Sequence, residues 1–168
     1  MIKEFLFSLG FISSNLDIPK QIEWTPIKLS VQDFKMNPPK SSAWAGLTTS
    51  TISMNTAIDE TGKFSFDVHA FFNPSQSWLR VKNDYILNHE QKHFDITEYF
   101  ARQLKQKLSQ LPSGTNYKTE PQKIFNDINK QDQEMQNLYD DQTDHSINTT
   151  VQSVWNNKVD SLLKSIPQ

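Results

Sequence analysis

The stretch from Asn88 to Glu98 reads NHEQKHFDITE. It lies inside a run whose apolar residues recur at helical spacing from Ile86 to Leu111. With His93 as the origin of a wheel turning about 100° per residue, Ile86, Thr97, Phe100, Leu104, Leu108 and Leu111 gather around it and mark the core face. His89 falls about 40° to one side and Glu90 about 60° to the other. Two imidazoles and a carboxylate therefore project from, or beside, an apolar stripe, which is costly unless something compensates them. A divalent cation does so. Residues at i and i+4 are neighbours one turn apart, so His89 and His93 can aim a ring nitrogen at one ion, while Glu90 reaches a water beside it without ligating. The spacing is HExxH, and zinc is the natural occupant of a nitrogen-rich site in a chain without cysteine. Gln91, Lys92, Asp95, Glu98, Arg102 and Lys105 point away and are expected at the surface, with Glu98 and Arg102 as an ordinary i,i+4 pair.

Catalytic zinc takes three protein ligands and keeps one position open. Glu98 lies about 140° from His93 on the wheel and cannot be the third. The remaining histidines are His69 and His145. His145 occurs in YDDQTDHSIN, Tyr139 to Asn148, a polar knot between two amphipathic segments that can fold back over the long helix. It is the expected third ligand, with Asp140 and Asp144 as supporting partners or substitute carboxylate ligands. Tyr139 heads the knot and can offer its hydroxyl to a developing oxyanion; equally, it completes an apolar helical stripe. His69 sits on the polar face of FDVHAFF and is expected at solvent, or at the rim of a cleft on a strand edge that pairs with an extended substrate.

Outward from the motif, the first half of the chain has the period of strands. Ile27, Leu29 and Val31 alternate with Lys28 and Ser30; TTSTISMN from Thr48 to Asn55 is rich in Thr and Ile; and Phe64 to Phe72 alternates apolar with polar. Breakers separate these runs at Asn37-Pro38-Pro39, Asp59-Glu60-Thr61-Gly62 and Asn73-Pro74-Ser75. The second half is helical. One helix runs from Asn83-Asp84 to Leu111 and stops at Pro112-Ser113-Gly114; a second starts at the capping signal Thr119-Glu120-Pro121-Gln122 with Ile124, Ile128, Met135 and Leu138 on one face; a third follows Asn148 with Val151, Trp155, Val159, Leu162 and Ile166. The expectation is a single α+β domain over residues 1–168. In it a small, mostly antiparallel sheet packs on a long active-site helix and two further helices.

Composition narrows the function classes. The net charge is −2, and Lys and Arg are scattered, so no footprint for nucleic acid is visible. Mean hydropathy is −0.63 and no run approaches the roughly 20 apolar residues of a membrane span. The absence of cysteine excludes disulfides and thiolate chemistry and leaves the redox compartment open. In MIKEFLFSLGFISSN a short apolar run from Phe5 to Ile12 has the outline of a degenerate signal peptide. However, Glu4 spoils the basic region and no small-x-small cleavage site follows, so residues 1–22 are read as an N-terminal segment packed on the domain.

Five pieces of the chain together resemble a bacterial family of unknown function whose members are described as secreted zinc-dependent proteases. They are LSVQDFK (Leu29 to Lys35), AGLTTSTI (Ala45 to Ile52), FFNPSQSW (Phe71 to Trp78), ILNHEQKHFDITEYFAR (Ile86 to Arg102), and YDDQTDHSIN followed by Gln152 and Trp155. HEQKHFDI is the most specific of them. The resemblance implies a zincin-like domain with His89 and His93 as ligands, Glu90 as catalytic residue and the Thr143-Asp144-His145 motif near the metal. It also implies export to the periplasm or cell exterior. Family members carry glycine after that histidine, where this chain has Ser146.

The expected function is a monomeric zinc metallopeptidase acting on a peptide or protein, with Glu90 as general base. Two alternatives stay open: a zinc amidase acting on cell-wall peptides, and a non-catalytic binding module in which the metal is structural.

Overall fold

The computed structural model describes residues 20–61, 63–112 and 115–167. The signal-like stretch, Gly62 of the hairpin turn and Ser113-Gly114 lie outside the described residues. The elements are strands β1 (Ile22–Glu23), β2 (Gly46–Leu47), β3 (Ser50–Ile58), β4 (Phe64–Phe72) and β5 (Trp78–Leu79), then helices α1 (Asp84–Ser109), α2 (Glu120–Thr143) and α3 (Thr149–Ser165). Single 3-10 turns occupy Val31–Asp33 and Pro74–Gln76.

β3 and β4 form an antiparallel hairpin in the register Ser50 opposite Phe72 to Ile58 opposite Phe64, and β1 adds two residues to the far side of β4. A second antiparallel pair joins β2 to β5. The hairpin turn is closed by the Asp59 carboxylate, which accepts from the backbone N–H groups of Thr61 and Lys63. The fold is thus α+β with small antiparallel sheets and three helices, as the change of period along the chain implies.

α1 begins where Asn83 caps it by accepting from the Ile86 N–H, and it carries Asp84 in its first turn and Lys107 in its last. It packs against β3 and β4 on one side and α2 and α3 on others. One core cluster joins Ile52, Val68, Ala70 and Phe72 of the sheet to Phe94, Ile96, Phe100 and Leu104 of α1 and to Ile128, Tyr139, Trp155 and Val159 of α2 and α3.

The structure corrects three sequence expectations. Residues 27–31 form no strand: Ile27 is exposed, the Leu29 N–H donates to Gln91 Oε1, and Ser30 opens the 3-10 turn by bonding Asp33. The edge of the sheet is made by Ile22–Glu23 instead. Thr119 precedes α2 without a side-chain capping bond, and Leu138 faces outward while its neighbour Tyr139 faces the core.

The third correction concerns the polar side of α1, where Gln91, Lys92, Asp95 and Glu98 are all buried. A wheel assumes one buried face, but α1 is covered nearly all round. Asp95 accepts from Trp24 Nε1 and Gln91 Nε2, and Lys92 Nζ reaches Asp95 at 2.8 Å and Asp160 of α3 at 2.5 Å. Arg102 pairs with Glu98 at 2.7 Å, donates to the Leu163 and Ile166 carbonyls at the end of α3, and stacks on Trp24. These charges are tolerated because each has a partner; a buried ion lacking one would be strongly destabilising.

Candidate metal centre

Helical spacing places His89 and His93 one turn apart on α1, and their Nε2 atoms lie 3.3 Å from each other. α2 runs alongside and contributes Asp140, whose Oδ1 is 3.1 Å from His93 Nε2 and 3.3 Å from His89 Nε2. One ligand atom from each of these three residues falls within 4.8 Å of the others. They could hold a metal ion.

The opposite ring nitrogens are fixed by amides. His93 Nδ1 meets Gln136 Oε1 at 2.6 Å, and His89 Nδ1 meets Gln152 Oε1 at 2.7 Å. The orientation of each amide follows from what its nitrogen faces. Gln136 Nε2 donates to the His93 carbonyl and the Asp132 carboxylate, and Gln152 Nε2 donates to Tyr139 Oη and Asn156 Oδ1. The carbonyl end of each glutamine therefore faces the imidazole, which must carry its proton on Nδ1 and turn Nε2 towards the cleft. This is the outer support that metal-binding histidines require.

The electrostatics match. Burial opposes ionisation of Asp140, but the contacts with His89 and His93 outweigh it and hold the carboxyl well below the usual carboxylate range. Burial likewise opposes a charge on His93, yet Asp140 and Glu90 prevail and lift it to about 9. Without a metal the site is thus self-neutralised by an imidazolium and a carboxylate, and metal entry must displace the proton.

Glu90 is buried with its Oε2 lacking a hydrogen-bond partner among the described residues, and burial pushes its carboxyl up despite the two histidines and Thr48. A charged oxygen so placed is expensive unless something arrives to meet it. Room for it is made by Gly46, where an added Cβ would come within 2.3 Å of Glu90 Oε1. The Thr48 hydroxyl donates to the Glu90 carbonyl and ties β2 to the helix. A carboxylate with one unpartnered oxygen, beside two Nδ1-protonated imidazoles and the Asp140 carboxylate, is a donor set that fits a divalent cation.

The other expected site residues separate. His145 lines the same cleft, but its Nδ1 lies 3.7 Å from the other oxygen of Asp140, its side chain is half-exposed, and its ring stacks on Trp44 at 5.3 Å. The group that could hold a metal ion takes in Asp140, the expected substitute carboxylate, rather than His145, because Asp140 lies inside α2 at the level of His93 whereas His145 lies past the helix end. Asp144 is exposed and serves as the left-handed cap of α2. Tyr139 is fully buried, with its hydroxyl donating to the His89 carbonyl and its ring against both histidines. It supports the imidazoles and does not face the cleft as an oxyanion donor. His69 is remote from the centre. His69 does not line this cleft; it is held between Glu23 and Asp67 at 2.6 Å each, on β4 just before the two residues, Phe71 and Phe72, that β1 covers.

Sequence reasoning missed Gly46, Thr48, Gln136 and Gln152. The available signal was a glutamine on an otherwise apolar helical stripe: Gln152 shares a face with Trp155 and Val159, and all three are buried.

Fold and site together define a class, an α+β domain in which two histidines of an HExxH helix and a carboxylate of the neighbouring helix could hold a metal ion. The chain belongs to the family described as bacterial protein of unknown function (DUF922), which matches residues 39–146. The match takes in the hairpin, α1 and the Asp140–Ser146 segment, and the family description carries no activity. No curated protein and no solved structure matches the chain significantly.

Proposed function

We propose that the protein is a zinc-dependent hydrolase of peptide bonds, zincin-like in its use of an HExxH helix. The observation that carries this is the convergence of His89, His93 and Asp140 in the wall of an open cleft, next to a Glu90 carboxylate with a buried, unpartnered oxygen. Nitrogen-rich, sulfur-free ligation favours zinc. When bound, the ion supplies a Lewis acid that polarises a carbonyl and lowers the pKa of water.

The remaining chemistry falls to the chain. Glu90, its proton affinity raised by burial, takes a proton from water and passes it to the leaving amine. His145 at the rim faces incoming substrate. Residues 45–50 line the cleft and replace β4 as the extended segment beside which a peptide can lie. Three ligand atoms rather than four among the described residues support a site with an open position over a closed structural one.

The test compares zinc-loaded wild type with Glu90→Gln on unfolded casein and on peptidoglycan fragments. The expected result is casein cleavage by wild type, and a variant that keeps its zinc while turnover falls by about 10²–10⁴. Cleavage of the cell-wall fragments alone would assign the amidase reaction instead. A zinc-loaded wild type that cuts neither substrate would overturn the hydrolase reading.

A further inference from the structure

The cleft, about 270 Å³, is a groove with two ends. Three segments run along it side by side: residues 44–50, α1 from His89 to Thr97, and α2 backwards from Asp140 to Asp132. Trp44 and His145 stack at one end. At the other, Ser50 and Thr97 share a hydrogen bond of 2.7 Å beside Asp132 and Gln136. The metal ligands lie between.

Charge is distributed unevenly along this groove. None of the described residues that line it is Lys or Arg, whereas three are carboxylates. Asp140 is neutralised by the histidines, and Glu90 lies against the ion position. Asp132 is compensated only in part, because His93 and Thr97 favour its ionised form and burial outweighs them. Its Oδ1 accepts from Gln136 Nε2 at 3.0 Å, a neutral donor, and it makes no ion pair among the described residues. It is half-buried, and burial lifts its carboxyl to about 6. A half-buried carboxylate without an ion pair among the described residues, on the wall of an open cleft lined by no described Lys or Arg, is under-compensated, and a cation entering the groove would relieve it.

We propose that the Asp132 end of the groove is a subsite for a positively charged side chain of the substrate. The proposal rests on the hydrolase reading and narrows its substrates to peptides bearing lysine or arginine near the cut. Eight residues of α2 separate Asp132 from Asp140, about 12 Å at 1.5 Å per residue. A lysine side chain covers about half of that, so the charge sits about two residues from the scissile bond at 3.3 Å per extended residue. Anionic ligands are disfavoured in the same groove.

Asp132→Asn separates this role from a structural one, because asparagine still offers Gln136 an acceptor oxygen and removes only the charge. Zinc-loaded wild type and variant are titrated with otherwise identical pentapeptides whose central residue is lysine, norleucine or glutamate. Binding is followed by tryptophan fluorescence, and products are mapped by mass spectrometry. Wild type is expected to bind the lysine peptide about five- to tenfold more tightly than the norleucine one, with glutamate weakest. The variant is expected to bring the lysine-to-norleucine ratio to about one. Equal binding of lysine and norleucine by wild type overturns the subsite, as does a lysine preference that survives in Asp132→Asn. Lysine preference without cleavage of any peptide would keep the subsite and remove the hydrolase; cleavage indifferent to lysine would do the reverse. If the variant does not fold, the wild-type comparison of the three peptides alone decides.

Discussion

Asp140 Oδ1 lies 3.1 Å from His93 Nε2, close to where the sequence had pointed to His145. The two candidates are separable by metal content. Asp140→Ala removes one of three ligands and leaves His93 without the carboxylate that faces it, so zinc affinity should fall by at least about 10²-fold. His145→Ala removes a group 3.7 Å from the other oxygen of Asp140 and should keep zinc within about tenfold of wild type. Competition against a chelating indicator measures both. A larger loss in the histidine variant would return His145 to the ligand set.

Gln152 ties α3 to the centre through His89 Nδ1 at 2.7 Å and is itself buried. Gln152→Met preserves volume and removes the acceptor. With its Nδ1 proton unsatisfied, His89 loses its fixed tautomer, and zinc affinity should drop about 10- to 100-fold. The metal-free protein should also lose about 1–3 kcal/mol for the stranded donor. Calorimetric unfolding with and without zinc distinguishes these effects, and unchanged affinity would mean that Tyr139 packing alone orients the ring.

The helix, its capping by Asn83 and the pairing of His89 with His93 were legible because they depend on contacts within one or two turns. Which of His145, Asp140 and Asp144 comes nearest to them was not. Helical spacing puts Asp132, Gln136 and Asp140 on one face of α2 at successive i+4 steps, but nothing local says which level of α2 meets His93. That is set by how α2 docks on α1. The charged side of α1 misled for a related reason: Lys92 and Asp95 carry the signature of a solvated face, and only the return of Trp24 and α3 over them reveals a paired, buried network. His69 was legible as a polar-face residue of its strand, but an alternating strand does not announce which side of the domain it reaches, and His69 ends between Glu23 and Asp67 rather than in the cleft.

Asp132 gives the metal-free protein a defined pH dependence. Its folded pKa of about 6 lies above the ordinary 3.8, mainly because of burial and despite the Gln136 hydrogen bond. The folded state therefore favours the protonated form. The associated stability is fully present below about pH 4 and is lost as pH rises through about 6. Asp132→Asn should stabilise the protein by about 1–3 kcal/mol above pH 6, with the gain fading to nothing near pH 4. Urea unfolding across that window checks it; a gain that does not change with pH would trace to packing rather than ionisation.

The loop between α2 and α3 holds three consecutive residues at positive φ: Asp144 at 48°, His145 at 48° and Ser146 at 77°. Asp and His tolerate the left-handed region better than most residues, while serine at this φ stands where glycine is favoured. The conformation is imposed from outside, since Tyr85 Oη donates to the Ser146 carbonyl at 2.6 Å and the His145 N–H bonds the Asp140 carbonyl at 2.9 Å. A left-handed residue with a Cβ costs about 1–2 kcal/mol, and glycine gives back part of the difference through its looser unfolded chain. Ser146→Gly should therefore stabilise the fold by about 0.5–1 kcal/mol, with zinc affinity unchanged because the ligands lie in α1 and α2. Thermal unfolding of the zinc-free and zinc-loaded variant measures both parts. Destabilisation on substitution would show that the loop is held open by the buried serine side chain rather than strained by it.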